Sequence, residues 1–288
     1  LRSANGDEAI VELAEASGLS RLGRSELDPA GASTLGTGEV LLAVLDACVA
    51  GIVLGIGGSA TTDGGAGIVA ALGGTVTPAL DGVDLGDLDP RLAHTTMRIA
   101  CDVTNPLLGE RGAAATYGPQ KGATPADVPV LDARLARWAD ALEAATGRRE
   151  RDTPGAGAAG GTGFGLLCLT DRFASLSVEP GVELVMAATG FDAKLAEADV
   201  VVTGEGRIDA QTAFGKTALG VARRAQASGV ACIAVGGGVE PAGVEALAAV
   251  EAAVVPVHER PLPAEQAMAL GAAPLVAVGE RIARSRGA

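Results

Sequence analysis

Residues 51–67 read Gly-Ile-Val-Leu-Gly-Ile-Gly-Gly-Ser-Ala-Thr-Thr-Asp-Gly-Gly-Ala-Gly. The stretch opens with an apolar run of strand length and passes into a loop of Gly, Ser, Thr and one Asp. Apolar residues then return at helical spacing, at Ile68, Val69 and Leu72. Strand, glycine loop and helix in that order aim backbone N–H groups at an anion. Asp63, inside the loop, repels a bare phosphate. It does not repel a phosphate carried with Mg²⁺, or a hydroxyl that must lose a proton. The stretch therefore predicts an α/β fold acting on a phosphorylated or phosphate-accepting small molecule.

Upstream, residues 8–14 read as a strand entering a short helix that ends at Gly18. Thr37 is placed to cap a helix running to Asp46, with Val40, Leu41, Val44 and Leu45 on one face. Residues 97–103 form a second strand with Asp102 near its C-terminal end. A second loop of small residues, 112–122, carries Tyr117, Gln120 and Lys121. Thr124, Pro125 and Asp127 start a helix to about Thr146, with Val130, Leu131, Leu135, Trp138 and Leu142 facing inward. A third glycine loop, 154–165, opens a helix through Leu169. It suits either close approach of a ligand or tight helix packing. From Asp199 onward, strands at 199–203, 230–235 and 252–257 alternate with helices at 214–228, 242–250 and 264–284, the last broken near Pro274. That alternation predicts parallel βαβ units with ligand loops at the carboxyl ends of the strands.

Composition excludes several classes. A net charge of −13 and 2% aromatic residues leave neither a basic patch nor a stacking platform for nucleic acid. No apolar run reaches the ~20 residues of a membrane helix, and a cytoplasmic location is expected. Cys48, Cys101, Cys168 and Cys232 are widely spaced and read as reduced, buried thiols. His94 and His258 lie outside the glycine loops. Three lysines stand against nineteen arginines, and two of them, Lys121 and Lys216, fall in polar glycine loops. A lysine kept where arginine otherwise serves points to a compact charge for phosphate, or to chance placement on a solvated loop.

Gly55–Ala60 fits a loose dinucleotide pattern, but Asp63 and the lack of an acidic residue closing a second strand ~20 residues on disfavour it. A nicotinamide dehydrogenase is the weakest alternative. Phe214-Gly-Lys-Thr217 resembles a P-loop tail without its leading glycine or strand. The acids say more. Asp63, Asp102, Glu205 and Asp209 are all expected in loops after strands or near strand ends. There carboxylates bind Mg²⁺ or take a proton from a hydroxyl. With Lys121, Lys216 and Arg207 beside glycine loops they fit phosphoryl transfer, a reaction that needs positioning and charge neutralisation.

These residues bring the chain to a family. Gly55-Ile-Gly-Gly-Ser-Ala-Thr-Thr-Asp-Gly-Gly-Ala-Gly, Cys101-Asp-Val-Thr-Asn-Pro-Leu-Leu-Gly, Tyr117-Gly-Pro-Gln-Lys-Gly-Ala, Pro154-Gly-Ala-Gly-Ala-Ala-Gly-Gly and Thr203-Gly-Glu-Gly-Arg-Ile-Asp with Gly215-Lys216 resemble the type I glycerate kinases, in order and spacing. The resemblance implies ATP-dependent, Mg²⁺-assisted phosphorylation of D-glycerate at its 2-hydroxyl, giving 2-phosphoglycerate. It implies two α/β domains with the site in the cleft between them: residues 1–190 as an inserted mixed α/β domain carrying the glycine loops, and 191–288 as the C-terminal part of a flavodoxin-like domain with a parallel sheet. Catalytic roles fall on Asp63, Asp102, Lys121, Glu205, Arg207 and Asp209, with Asp63 or Asp102 orienting the hydroxyl or acting as base. Glu205 and Asp209 would act at Mg²⁺. Gly57, Gly58, Ser59, Thr62, Asn105, Gly157, Gly160, Gly161, Gly204 and Lys216 would bind substrate or nucleotide. Thr62 stands where the family usually has Asn. The family's opening strand, its Asp-Ser-Phe-Lys-Gly-Ser loop and an Ala-Asp-Gly-Gly-Glu-Gly segment have no counterpart here. The chain is therefore expected to be N-terminally truncated, and the alternative is an impaired fragment that only binds a hydroxy acid or nucleotide. A homodimer is among the assemblies left open.

Overall fold

A computed structural model describes residues 2–3, 6–210, 212, 217–258, 260 and 262–286. The chain divides into two units, 1–181 and 182–288.

In the first unit the strands are β1 (Arg2–Ser3), β2 (Gly6–Glu12), β3 (Gly51–Gly55), the short hairpin β4 (Thr75–Val76) and β5 (Val83–Asp84), β6 (Thr96–Ala100) and β7 (Ser175–Glu179). The helices are α1 (Leu13–Ser17), α2 (Leu35–Asp46), α3 (Ala66–Ala71), α4 (Ala113–Tyr117), α5 (Asp127–Thr146) and α6 (Ala158–Cys168). The main sheet has the order β1-β2-β3-β6-β7, and every pair is parallel except β1 with β2. β3 lies at its centre. Ile52, Val53 and Leu54 are all buried, as a strand covered on both faces requires. Helices supply the cover: Leu41 and Leu45 of α2, Ile68 and Val69 of α3, Leu135 and Trp138 of α5 and Phe164 of α6 share one core with these strands. Each such side chain contributes about 1.5–3 kcal/mol by leaving water.

In the second unit, α7 (Gly181–Ala188) and α8 (Phe191–Leu195) precede β8 (Val200–Ile208), α9 (Thr217–Ala227), β9 (Ala231–Val239), α10 (Pro241–Ala248), β10 (Ala252–Pro256), α11 (Ala264–Ala269) and α12 (Ala273–Arg286). The sheet order β10-β9-β8 is parallel throughout. Leu219 and Leu247 pack with Cys232 and Ala234, while Val278 of α12 packs with Ile233 and Val235. Alternate residues of β9 thus serve two cores, one on each face of the sheet.

Several sequence expectations need correction. The division falls after Gly181, ahead of the expected 190, because Val182 and Met186 of α7 pack with Val221 of α9. Helix α2 starts before Thr37, which is buried and donates to Ser17 Oγ at 2.9 Å instead of capping. The Thr124 hydroxyl donates to Asp127 instead of accepting an N–H as a cap, while its carbonyl accepts from Asp127 N and Val128 N. Val40 and Val130 are exposed, out of phase with the buried stripes of α2 and α5. Cys48 is exposed, and all four thiols are free. Strand β7 escaped the reading. Strands β8 and β9 run on through segments expected as loops, so Glu205 and Arg207 stand on a strand, paired with Gly236 and Gly238. No helix among the described residues is long and apolar enough to cross a membrane.

Candidate active site

The loop after β3 is held from below by Asp63, whose side chain is 3% exposed. Its Oδ2 accepts from Thr34 N and Thr34 Oγ1, both at 2.8 Å, and from Gly67 N at 3.2 Å, while Oδ1 accepts from Gly65 N at 3.2 Å. Ile68 N donates to Thr34 Oγ1 at 3.1 Å. The first N–H groups of α3, expected to cradle a ligand anion, are therefore taken by the protein's own carboxylate and by Thr34. A helix N-terminus favours negative charge, and Asp63 supplies it from inside.

Above this support lies a cleft of about 410 Å³. The structure brings Gly57, Gly58, Ser59, Asp102 and Lys121 together along it. Tyr117 and Gln120, which the sequence placed in the second loop without a role, line it too. The loop is tied down by Leu19 N donating to Gly58 O at 2.8 Å and Ala60 N donating to Ser17 O at 2.9 Å. Lys121 is 1% exposed, and its Nζ donates to Ser59 Oγ at 2.8 Å and to Thr61 O at 2.6 Å. Among the described residues no carboxylate forms an ion pair with it. Burial lowers its pKa to about 8, partly offset by the charge of Asp63. A buried cation that faces a cleft, with Asp63 as its only offsetting charge among the described residues, suits an anion from outside.

Asp102 is exposed just past the end of β6, and its Oδ1 accepts from Gly181 N at 2.8 Å. Burial raises the pKa of both Cys101 and Tyr117 beside it. Asn105 serves the wall. Its Oδ1 accepts from Tyr117 OH at 2.8 Å, and its Nδ2 donates to Arg111 O at 2.7 Å.

The third glycine loop is a packing device. A Cβ on Gly157 would lie 2.3 Å from Pro106 O, one on Gly161 2.7 Å from a Leu107 methyl, and one on Gly160 1.9 Å from Thr61 O. Gly160 also has φ +68°, and its carbonyl accepts from Gly64 N at 3.0 Å. These three glycines face the chain's own backbone, while Ala158 and Ala159 line the cleft. Thr62 is buried beneath the loop, with no hydrogen-bond partner for its hydroxyl among the described residues.

In the second unit, Gly204, Glu205 and Arg207 line a separate cavity. Glu205 Oε1 accepts from Ala218 N at 2.9 Å, near the start of α9. Arg207 pairs with Glu240, and its Nε lies 3.5 Å from Asp209 Oδ2. The described residues contain no cluster of three or more His, Cys, Asp or Glu with metal-ligand spacing. Glu205 Oε2 accepts from Thr212 Oγ1 at 3.3 Å, and Glu205 and Asp209 offer carboxylate oxygens, the donor type that Mg²⁺ takes together with substrate phosphates. Lys216 lies outside the described residues.

A parallel α/β frame carries a glycine-edged cleft with a buried lysine that forms no ion pair among the described residues. The glycerate kinase family model matches residues 1–286, and the chain belongs to that family. It is 46% identical over 243 residues to the glycerate kinase of Halalkalibacterium halodurans, covering 80% of this chain and 63% of that protein. It is 41% identical over 238 residues to the glycerate 2-kinase of Escherichia coli, covering 78% of this chain and 61% of that protein. A crystal structure from Salmonella typhimurium LT2, of a protein provisionally described as glycerate kinase 2, superposes with a TM-score of 0.71 at 38% identity, covering 90% of this chain and 71% of that one. The chain thus spans less than two thirds of the length of these two curated relatives.

Proposed function

We propose that the chain carries out glycerate kinase chemistry, transferring the γ-phosphoryl group of ATP to the 2-hydroxyl of D-glycerate to give 2-phosphoglycerate. The observation that carries this reading is Lys121, a buried ammonium with no carboxylate ion pair among the described residues, in a cleft sized for a small acid. Lys121 and Ser59 receive the substrate carboxylate. Asp102, exposed in the same cleft, accepts the hydroxyl proton. Asp63 positions the loop that carries Ser59, and its bonds to Thr34, Gly65 and Gly67 leave it a supporting role.

Arg207 neutralises phosphate charge, as the family resemblance also assigns to Lys216. Glu205 and Asp209 would hold Mg²⁺, which when bound neutralises the phosphates and the charge that develops on the transferred group. The remaining contribution of the chain is positioning, which is where most of the catalysis of such a transfer lies.

The test is an assay with Mg-ATP and D-glycerate, with the product identified by ³¹P resonance. Formation of 2-phosphoglycerate is expected. Absence of any phosphorylated glycerate would sink the reading, and 3-phosphoglycerate would correct the position of transfer. D-glycerate and ATP are the proposed partners.

A further inference from the structure

Gln120 lines the same cleft as Lys121 and Asp102. We propose that its side-chain amide holds the 3-hydroxyl of glycerate, and so makes the site select a 2,3-dihydroxy acid over a plain 2-hydroxy acid. The inference rests on the kinase reading, which supplies glycerate and assigns its carboxylate to Lys121 and Ser59 and its 2-hydroxyl to Asp102.

The other polar side chains of the cleft are already engaged. Lys121 Nζ donates to Ser59 Oγ at 2.8 Å. The Tyr117 hydroxyl gives its proton to Asn105 Oδ1 at 2.8 Å, and Cys101 Sγ donates to Val103 O at 3.4 Å. Asp102 Oδ1 accepts from Gly181 N at 2.8 Å. Gln120 is exposed, and its amide forms no hydrogen bond among the described residues. Ile56, Ala100, Val103, Ala158 and Ala159 complete the side-chain lining and offer no hydrogen bond. Gln120 is thus the neutral polar side chain of this cleft with neither a bond within the described fold nor a part in the reading above.

Its chemistry suits the group left over. Glycerate carries a carboxylate and two hydroxyls. A hydroxyl both donates and accepts, and a glutamine amide offers an acceptor oxygen and a donor NH₂ on one rigid plane. A second carboxylate here would repel the acid, and a second ammonium could only donate.

Its backbone is fixed before any ligand arrives. Gln120 is the middle residue of a single 3₁₀ turn, Pro119–Lys121. Pro119 sets its own φ, Lys121 N donates to Gly118 O at 2.9 Å, and Gly122 N donates to Pro119 O at 3.1 Å. Successive side chains of a 3₁₀ turn diverge by about 120°. Lys121 can therefore run beneath the loop to Ser59 and Thr61 while Gln120 stays at the open side of the cleft. A ligand has only the rotamers of Gln120 to order, which keeps the entropy cost of the contact low.

The test is calorimetric titration of the chain with D-glycerate and with D-lactate, which keeps the carboxylate and the 2-hydroxyl and lacks the 3-hydroxyl. The unaltered chain is expected to bind D-glycerate about 5- to 10-fold more tightly, the worth of one neutral hydrogen bond. In Gln120→Leu the preference is expected to fall to within about twofold, through lost affinity for D-glycerate alone. Gln120→Ala repeats the measurement without the bulk of leucine. Both variants should melt like the unaltered chain, since neither breaks a side-chain hydrogen bond of the described fold. A role in shaping the loop would weaken both acids together. Equal weakening of both, a preference that survives in the folded variants, or an unaltered chain that does not prefer D-glycerate overturns the proposal. Phosphorylation of glycerate with the preference unmoved by either variant keeps the kinase reading and loses this one. A preference that collapses in the variants of a chain that phosphorylates nothing keeps this contact and loses the kinase reading.

Discussion

Lys121 Nζ lies 2.8 Å from Ser59 Oγ, and the two residues join the second polar loop to the glycine loop after β3 beneath the cleft. Removing the ammonium separates its binding role from its structural one. In Lys121→Met, Ser59 Oγ and Thr61 O lose a donor, but the fold no longer desolvates a charge that has no carboxylate ion pair among the described residues. The thermal midpoint is expected to move little. The kcat/KM for glycerate is expected to fall about 10- to 100-fold, mostly through KM, as for the loss of a hydrogen bond to a charged group. Steady-state kinetics beside a thermal melt check both, and a collapsed melt with unaltered KM would refute the assignment.

The same lysine sets a pH dependence with a definite sign. Its pKa is lowered to about 8 from the ordinary 10.5. Between those values the unfolded chain binds more protons than the folded one, so stability rises with pH across the window. The burial penalty is fully present below about pH 8 and is relieved as pH approaches 10.5. Activity is expected to run the other way, since the proposed role of the ammonium is to hold the substrate carboxylate. The kcat/KM for glycerate is expected to fall as pH rises through about 8. Asp63, Asp102, Cys101 and Tyr117 are the other titratable groups around this site. Lys121→Met should abolish the rise in stability, which chemical denaturation at pH 7.5 and 9.5 would show.

Asp63 should fail differently. Asp63→Ala leaves Thr34 N, Gly65 N and Gly67 N without their acceptor in the interior, at a cost of about 1–3 kcal/mol for each donor not rescued by water. A lowered denaturation midpoint is expected, with activity lost alongside the fold. Full stability with lost turnover would move Asp63 from support to chemistry.

How much of this was legible in sequence depends on range. Periodicity exposed β3, α5 and the alternation after Asp199, because those signals are local. The rarity of lysine singled out Lys121. The partner of Asp63 was not legible, since Thr34 lies 29 residues away and only the fold brings them together. Gly157, Gly160 and Gly161 looked like a ligand cradle because sequence shows that a Cβ is absent, and coordinates are needed to show what it would strike. Strand β7, Ser-Leu-Ser-Val-Glu, is short and only partly buried, so its apolar signal is weak. The walls of the second unit's cavity include Val257, Leu262, Met268 and Leu275, where nothing in the chain's order signals a pocket.

Two glycines make a paired test of that lesson. Gly57 is exposed in the cleft, and a Cβ there meets nothing within 4 Å. At Gly160 the same methyl would overlap Thr61 O at 1.9 Å, from a backbone with φ +68°. Gly160→Ala is expected to destabilise by about 3 kcal/mol or more, combining overpacking with backbone strain. Gly57→Ala should melt like the unaltered protein and bind glycerate more weakly. Equal melting of the two variants would contradict the packing assigned to the third glycine loop.

Asp102 carries the chemical half of the proposal. It lines the cleft with Ser59 and Lys121, and its Oδ1 accepts from Gly181 N at 2.8 Å. No other hydrogen-bond donor among the described residues reaches the carboxylate. Asp102→Asn can keep the Gly181 bond through its amide oxygen, so melting should be unchanged. The amide cannot take a proton at any working pH. A positioned base contributes about 10²–10⁴-fold, so kcat is expected to fall by that factor with the KM for glycerate nearly constant. Lys121→Met alters KM first and Asp102→Asn alters kcat first. Measuring both variants on one substrate distinguishes a residue that holds the acid from one that deprotonates it. A kcat for Asp102→Asn within about threefold of the unaltered chain would remove Asp102 as the base.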